Sequence, residues 1–220
     1  MGANVVFLLD VDNTLLDNDR VSQDLKDHIN IEYGSDARDR YWAILEELRD
    51  EHGYVDYLGA IQRWRLDAMD DPRVPLLSNF LIHYPFQRRA FPRVMETLEH
   101  LDRMGRTVIL TDGDVVFQPR KVRRAGLWEA VAGRVLIFIN KEKHLDDVER
   151  YYPADRYVLI DDKLRIHAAV KEQWGDRVTT VFVRQGHYAA DEATLAQYPP
   201  ADVSIDRIDE LLNMDLSKLV

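Results

Sequence analysis

The sequence predicts an α/β fold, a doubly wound parallel sheet interrupted by an all-α insertion, and three observations predict it. From Phe91 onward short apolar runs alternate with segments of helical period, the grammar of a parallel sheet. Residues 17–90 carry the helical period and nothing that reads as a strand. Ahead of that stretch stands a lone apolar run, Val5–Leu9, which stops at two carboxylates, Asp10 and Asp12.

Taken in order, Val5–Leu9 is rich in β-branched and aromatic types and reads as a strand buried on both faces. Strand side chains alternate, so Asp10 and Asp12 share one side at its carboxyl end, where open α/β sheets bind ligands. Two close carboxylates repel, a cost tolerated mainly where a divalent cation sits between them. Asn13 and Thr14 then supply turn chemistry.

Within the insertion, Tyr41, Leu45 and Leu48 mark a helix over 36–52 that Gly53 terminates. Leu58, Ile61, Trp64 and Ala68 mark another, ending before the Asp71-Pro72 break, and residues 76–84 a shorter one. Pro92 then occupies a first helical position, with Val94, Leu98 and Leu101 on one face and Gly105 past the end. Residues 107–110 form a strand that ends in Thr111-Asp112-Gly113-Asp114, and a basic helix over 118–125 closes at Gly126.

The next strand, 135–139, ends at Asn140-Lys141-Glu142-Lys143, and the one after it, 157–160, at Asp161-Asp162-Lys163. Ile166, Ala169, Val170 and Trp174 give a helix face that Gly175 ends; strands at 178–183 and 203–205 complete the list. The core is therefore expected at 1–16 and 91–220, with the helical insertion at 17–90.

Composition narrows the function. At 220 residues the chain has room for one large domain, or a core with an insertion. A hydrophobic content of 46% excludes the disordered class. The net charge of −10 argues against a nucleic-acid backbone or an anionic membrane surface. An anionic small substrate stays open, because a local cation overrides the global field. Without cysteine there is no disulfide, thiolate metal site or cysteine nucleophile. No run approaches membrane-spanning length and the amino terminus lacks a signal-peptide pattern. Val6 stands where a myristoylation motif after Gly2 needs Ser or Thr. A soluble cytoplasmic protein is expected, and nothing speaks to its oligomeric state.

In a parallel sheet the strand ends share one edge. That edge gathers Asp10 and Asp12, Thr111, Lys141 or Lys143, and Asp161 with Asp162. Carboxylates suit Mg²⁺, a hard cation that prefers oxygen ligands. The Thr111 hydroxyl, the lysine and backbone amides of the Asp112-Gly113 turn suit phosphate oxygens.

This order of residues resembles the haloacid dehalogenase (HAD) superfamily through the whole core. Its first motif, a strand ending D-x-D-x-T, stands as Asp10-Val11-Asp12-Asn13-Thr14; its second, a strand ending in Thr, as Val-Ile-Leu-Thr111. Its fourth, a strand ending in an acidic pair, stands as Val-Leu-Ile-Asp161-Asp162. The third is a lysine only; Lys141 is favoured because it comes first after its strand, with Lys143 and Lys121 as alternatives. The insertion looks like the superfamily's C1 helical cap.

The resemblance implies a Mg²⁺-dependent phosphomonoester phosphatase acting through an aspartyl-phosphate on a small phosphorylated metabolite. Asp10 would be the nucleophile and Asp12 the general acid and base. Thr111, Asp112, Gly113 and Lys141 would hold the phosphoryl group. Mg²⁺ would be bound by Asp10, by Asp12 through its carbonyl, and by Asp162 of the Asp161-Asp162 pair. Asp12 speaks against the metal-free dehalogenases, which lack the second acid. A phosphomutase is the alternative within the fold. A receiver-like or non-catalytic phosphate-binding module fits poorly, since the order of acids is wrong for the one and both acids are present against the other. Trp64, Arg63 and Arg65, the Arg88-Arg89 pair and His187 are secondary candidates for substrate contact, each more often plain surface or packing.

Overall fold

The computed structural model describes residues 4–220; residues 1–3, counted with the core above, lie outside it. In chain order the elements are β1 (Val5–Leu9), α1 (Asn18–Tyr33), α2 (Ser35–His52), α3 (Tyr57–Asp67), α4 (Leu77–His83) and α5 (Val94–Asp102). Then follow β2 (Arg106–Asp112), α6 (Phe117–Arg124), α7 (Leu127–Ala130), β3 (Val135–Phe138) and α8 (Leu145–Tyr151). The last are β4 (Arg156–Asp161), α9 (Leu164–Trp174), β5 (Val178–Val183), α10 (Gly186–Ala190), α11 (Glu192–Leu195) and β6 (Val203–Ile205).

Among the described residues the strands form one sheet of six, ordered β3-β2-β1-β4-β5-β6, and every pairing is parallel. The chain leaves β1 to one side for β2 and β3, then crosses to the other for β4. The switch point therefore lies between β1 and β4, where such sheets open a crevice. β1 is buried throughout because its side chains alternate between two apolar layers. Val6 and Leu8 pack with Val108, Leu110, Tyr157, Leu159 and Trp174 on one face. Phe7 and Leu9 pack with Ile109, Val158, Ile160 and Leu98 on the other.

Between β1 and β2 the chain is helical from Asn18 to Arg89, apart from its turns. Asp17 caps α1 by accepting from the Arg20 amide at 2.9 Å, and Gly53 ends α2 at φ 78°, a left-handed turn that favours glycine. Tyr41, Ile44, Leu45, Tyr57, Ile61 and Trp64 pack α2 against α3, and the Tyr41 hydroxyl donates to the Tyr57 carbonyl at 2.9 Å. The two chain passages beside the core are tied together: the Asp17 amide donates to the Arg89 carbonyl at 2.8 Å and the Phe91 amide to the Leu15 carbonyl at 3.0 Å.

Local departures from the sequence reading have physical reasons. α5 starts at Val94, not at Pro92, because Arg93 takes φ 60° and interrupts the helical path. β2 runs on through Thr111 and Asp112, since β3 pairs as far as Asp112↔Phe138. α1 carries only Val21, Leu25 and Ile29 as its buried stripe in a polar sequence, too narrow to delimit a helix from the sequence. No helix among the described residues is long and apolar enough to cross a membrane.

Candidate active site

The register brings the acids together. β1 and β4 are neighbours with Leu9↔Ile160 aligned, and the Asp10 amide donates to the Ile160 carbonyl at 3.0 Å. Asp10 and Asp161 thus leave adjacent strand ends side by side, with Asp162 one residue on. Ligand atoms of Asp10, Asp161 and Asp162 all lie within 4.8 Å of one another, and all three residues are buried.

Lys141 neutralises part of this charge. It stands in the turn after β3, where the Asp112 carboxylate fixes its amide at 2.7 Å. Its Nζ reaches Asp10 Oδ1 at 2.5 Å, Asp161 Oδ2 at 2.6 Å and the Leu110 carbonyl at 3.1 Å. Burial opposes its charge, but Asp10 and Asp161 outweigh burial and hold the ammonium well above the usual lysine range. Burial raises the Asp10 carboxyl to about 6 against the pull of Lys141. Asp161 is buried too, yet Lys141, with His167 and Lys163, draws it below the ordinary value. Asp162, deeply buried and beside two other acids, is pushed well above it.

One lysine does not complete the cluster. Both carboxylate oxygens of Asp162, and Oδ2 of Asp10, are buried without a hydrogen-bond partner. Orphaned carboxylate oxygens converging at this depth are costly. The donor set, three hard carboxylates and no nitrogen or sulfur ligand, fits a small divalent cation such as Mg²⁺.

Asp12 is placed differently. Val11, between the two acids, points into the core, and the Asp12 carboxylate lies outside the acid cluster. Lys121 of α6 donates to both its oxygens, at 2.7 and 2.8 Å, and to Asn18 Oδ1 at 3.2 Å. Of the three lysines weighed for the third motif, Lys141 therefore joins the acid cluster and Lys121 holds Asp12. Lys143 has no link to either.

The second-motif residues are largely engaged. The Thr111 hydroxyl accepts from Gln118 Nε2 at 3.0 Å. The Gly113 amide donates to the Phe138 carbonyl at 2.9 Å, so the sheet already uses the N–H that the sequence offered to phosphate. Gly113 matters for another reason: a Cβ there would lie 2.5 Å from the Gln118 side chain.

Over this edge lies a cavity of about 310 Å³. Asp12, Asp162, Lys163 and Gln118 line it from the sheet side, and Asn18, Ser22, Arg49, Tyr54 and Tyr57 from the helical side. The Lys163 amide donates to Asp161 Oδ1 at 2.9 Å, while its ammonium lies 5.1 Å from the Tyr188 ring centroid and makes no hydrogen bond or ion pair with any described residue. His187 also lines the cavity, but its Nδ1 is occupied by Asp19 at 2.6 Å. Trp64 is buried among the helices, Arg63 pairs with Glu51 at 2.8 Å, and Arg89 with Asp24 at 2.5 Å. None of these three, nor Arg65 or Arg88, lines the cavity. Sequence reasoning missed Asn18, Gln118, Arg49, Tyr54, Tyr57 and Lys163. Only Lys163, directly after the acidic pair, carried a positional signal.

No protein-family model matches the chain. No curated protein matches it either. Solved structures do. A haloacid dehalogenase-like hydrolase from Burkholderia xenovorans LB400 is 55% identical over 100% of both chains, with a TM-score of 0.94. The HAD-hydrolase YfnB from Bacillus subtilis, bound to magnesium, is 17% identical over 96% of this chain and 98% of its own, with a TM-score of 0.60. An L-2-haloacid dehalogenase from Xanthobacter autotrophicus, with chloropropionic acid covalently bound, is 17% identical over 97% and 98%, with a TM-score of 0.61. The last two share the fold. The full-length identity with the first shows that the chain belongs to the haloacid dehalogenase-like hydrolases.

Proposed function

We propose that the chain is a Mg²⁺-dependent phosphohydrolase that takes a small phosphomonoester through an aspartyl-phosphate. One observation carries this reading: Asp162 presents two buried, unpartnered carboxylate oxygens beside the free oxygen of Asp10. A metal-free dehalogenase would leave them with nothing to balance. The magnesium described for the YfnB structure is in keeping with this.

Asp10, Asp161 and Asp162 would hold the cation, which when bound supplies positive charge that offsets repulsion between carboxylate and phosphate. Asp10 attacks phosphorus, an O–P bond forms, and the ester bond breaks as the leaving oxygen takes a proton from Asp12. Asp12 then removes a proton from water, whose oxygen displaces the Asp10 carboxylate and releases inorganic phosphate. Lys141 orients Asp10 through the 2.5 Å contact, and the unpartnered Lys163 ammonium faces the charge that grows on the phosphoryl oxygens.

The test is phosphate release from a panel of phosphomonoesters, with Mg²⁺ and after stripping with EDTA. Turnover that needs Mg²⁺ and returns when it is restored is the expected result. Full turnover in stripped protein, or chloride release from 2-chloropropionate with no phosphatase activity, overturns the reading.

A further inference from the structure

Two lysines stand at the acid cluster, and they meet it differently. Lys141 touches carboxylate oxygens directly, Asp10 Oδ1 at 2.5 Å and Asp161 Oδ2 at 2.6 Å. Lys163 follows Asp162 in the chain and lines the same cavity, yet its ammonium pairs with no carboxylate of the described residues. Its backbone is fixed: the amide donates to Asp161 Oδ1 at 2.9 Å, and α9 begins one residue later at Leu164. The side chain rests against Tyr188 of α10, 5.1 Å from the ring centroid, a cation–π contact that holds an ammonium without neutralising it. Both oxygens of Asp162 and Oδ2 of Asp10 thereby stay unpartnered.

The other acids of the cavity do not neutralise Lys163 either. Asp12 holds Lys121, Asp19 holds His187, Asp112 accepts from the Lys141 amide, and Asp114 accepts from the amides of Val116 and Phe117. The cluster acts on Lys163 without touching it. Burial opposes the Lys163 charge, but Asp162, Asp10 and Asp161 outweigh burial and hold the ammonium above the usual lysine range.

Three carboxylates against Lys141 leave two negative charges, which one divalent cation balances. Lys163 is a further positive charge. Like charges at close range repel strongly where the dielectric is low, so Lys163 opposes the cation. A phosphoryl dianion reverses the sign, because both positive groups attract it.

We infer that Lys163 is a binding residue that weakens the hold of the acid cluster on Mg²⁺ and strengthens the hold of the site on the phosphoryl group. With the metal bound, the cluster carries one positive charge in excess until the phosphoryl group arrives. The inference rests on the reading of the cluster as a cation site for phosphoryl chemistry, and its test is a binding measurement that needs no turnover.

Mg²⁺ alone, and then inorganic phosphate at saturating Mg²⁺, are titrated into the full chain by calorimetry at about pH 8.5, which favours ionised carboxylates. Lys163→Met removes the charge and keeps an apolar stem against Tyr188. Lys163→Arg keeps the charge. In Lys163→Met, Mg²⁺ alone is expected to bind roughly 3- to 30-fold more tightly, and phosphate to bind more weakly by a similar factor. Lys163→Arg is expected to stay within about threefold of wild type for both ligands. A residue that only supports the fold would weaken both, so the inference requires opposite signs. Mg²⁺ binding that is unchanged or weaker in a folded Lys163→Met overturns it, and so does undiminished phosphate binding. Should Lys163→Met fail to fold, Lys163→Gln is read by the same two signs. A wild type that binds no Mg²⁺ removes the cation reading and the inference together. Phosphate release from esters is followed separately. Opposite signs in a protein that releases none would leave the role of Lys163 standing and remove the phosphatase reading.

Discussion

The two walls of the cavity are built by different rules. On the sheet side the functional groups stand at strand ends, and hydrogen-bond register fixes their relative positions: Leu9↔Ile160 sets Asp10 beside Asp161, and Asp112↔Phe138 brings Lys141 within reach of both. On the helical side Asn18, Ser22, Arg49, Tyr54 and Tyr57 come from two helix starts, one helix end and a turn. A parallel sheet leaves little freedom in where its strand ends lie. Helices pack through broad stripes, and residues beside the stripe face the cavity without any rule of spacing. The sheet wall can therefore hold chemistry constant while the helical wall selects the substrate.

The sharpest way to break that division is to compare losses of activity. Asp10→Asn removes the proposed nucleophile and is expected to lower phosphatase kcat by several orders of magnitude, with the fold retained by circular dichroism. Asp12→Asn is expected to cost about 10²–10⁴-fold. With p-nitrophenyl phosphate, whose leaving group needs little protonation, phosphoenzyme should then accumulate, visible by acid quench. On the other wall Tyr57→Phe removes one hydroxyl from a pair with Ser22 and is expected to stay within about tenfold. A Tyr57→Phe enzyme as inactive as Asp10→Asn would erase the distinction between the walls.

The same distinction governs what was legible beforehand. Asp10, Asp161 and Asp162 could be read because each follows an apolar run, and Lys141 because it comes first after β3. Gly113 was read for phosphate although its amide belongs to the sheet, since the sequence does not show that β2 continues past Thr111. Lys121 is a helix residue, and its contact with Asp12 spans 109 positions, a pairing no local pattern encodes. Nothing in the sequence sets Arg49 apart from the other bases of α2. The burial of its Nε is a tertiary outcome.

A smaller effect sharpens the comparison through stability. Lys141→Met leaves Asp10 and Asp161 buried and unpaired in metal-free protein, at an expected cost of about 3–5 kcal/mol in urea unfolding. Lys121→Met also breaks an ion pair, but the side chain of Asp12 is 24% exposed and keeps access to water. The expected cost there is smaller, about 1–2 kcal/mol. Equal losses would mean that the acid cluster is no more deeply committed than the cavity mouth.

The last effect isolates the charge on Asp10. Its carboxyl is raised by burial to about 6 in the folded chain from an ordinary 3.8. The native state therefore binds the proton more tightly than the unfolded chain. The resulting stabilisation is fully present below the ordinary value and is lost as pH rises through about 6. Other groups titrate nearby: buried His167 is shifted downward and works in the opposite sense, gaining stability as pH rises. Comparing wild type with Asp10→Asn removes that background, because both proteins keep His167. In EDTA, the stability of Asp10→Asn relative to wild type is expected to increase between pH 5 and pH 8, by about 1.4 kcal/mol. Mg²⁺ should shrink the difference by stabilising the wild-type carboxylate. Urea unfolding at the two pH values, with and without Mg²⁺, measures all four terms. A relative stability that is flat with pH would mean that the Asp10 carboxylate is already balanced by Lys141, and that the cluster has no need of a cation.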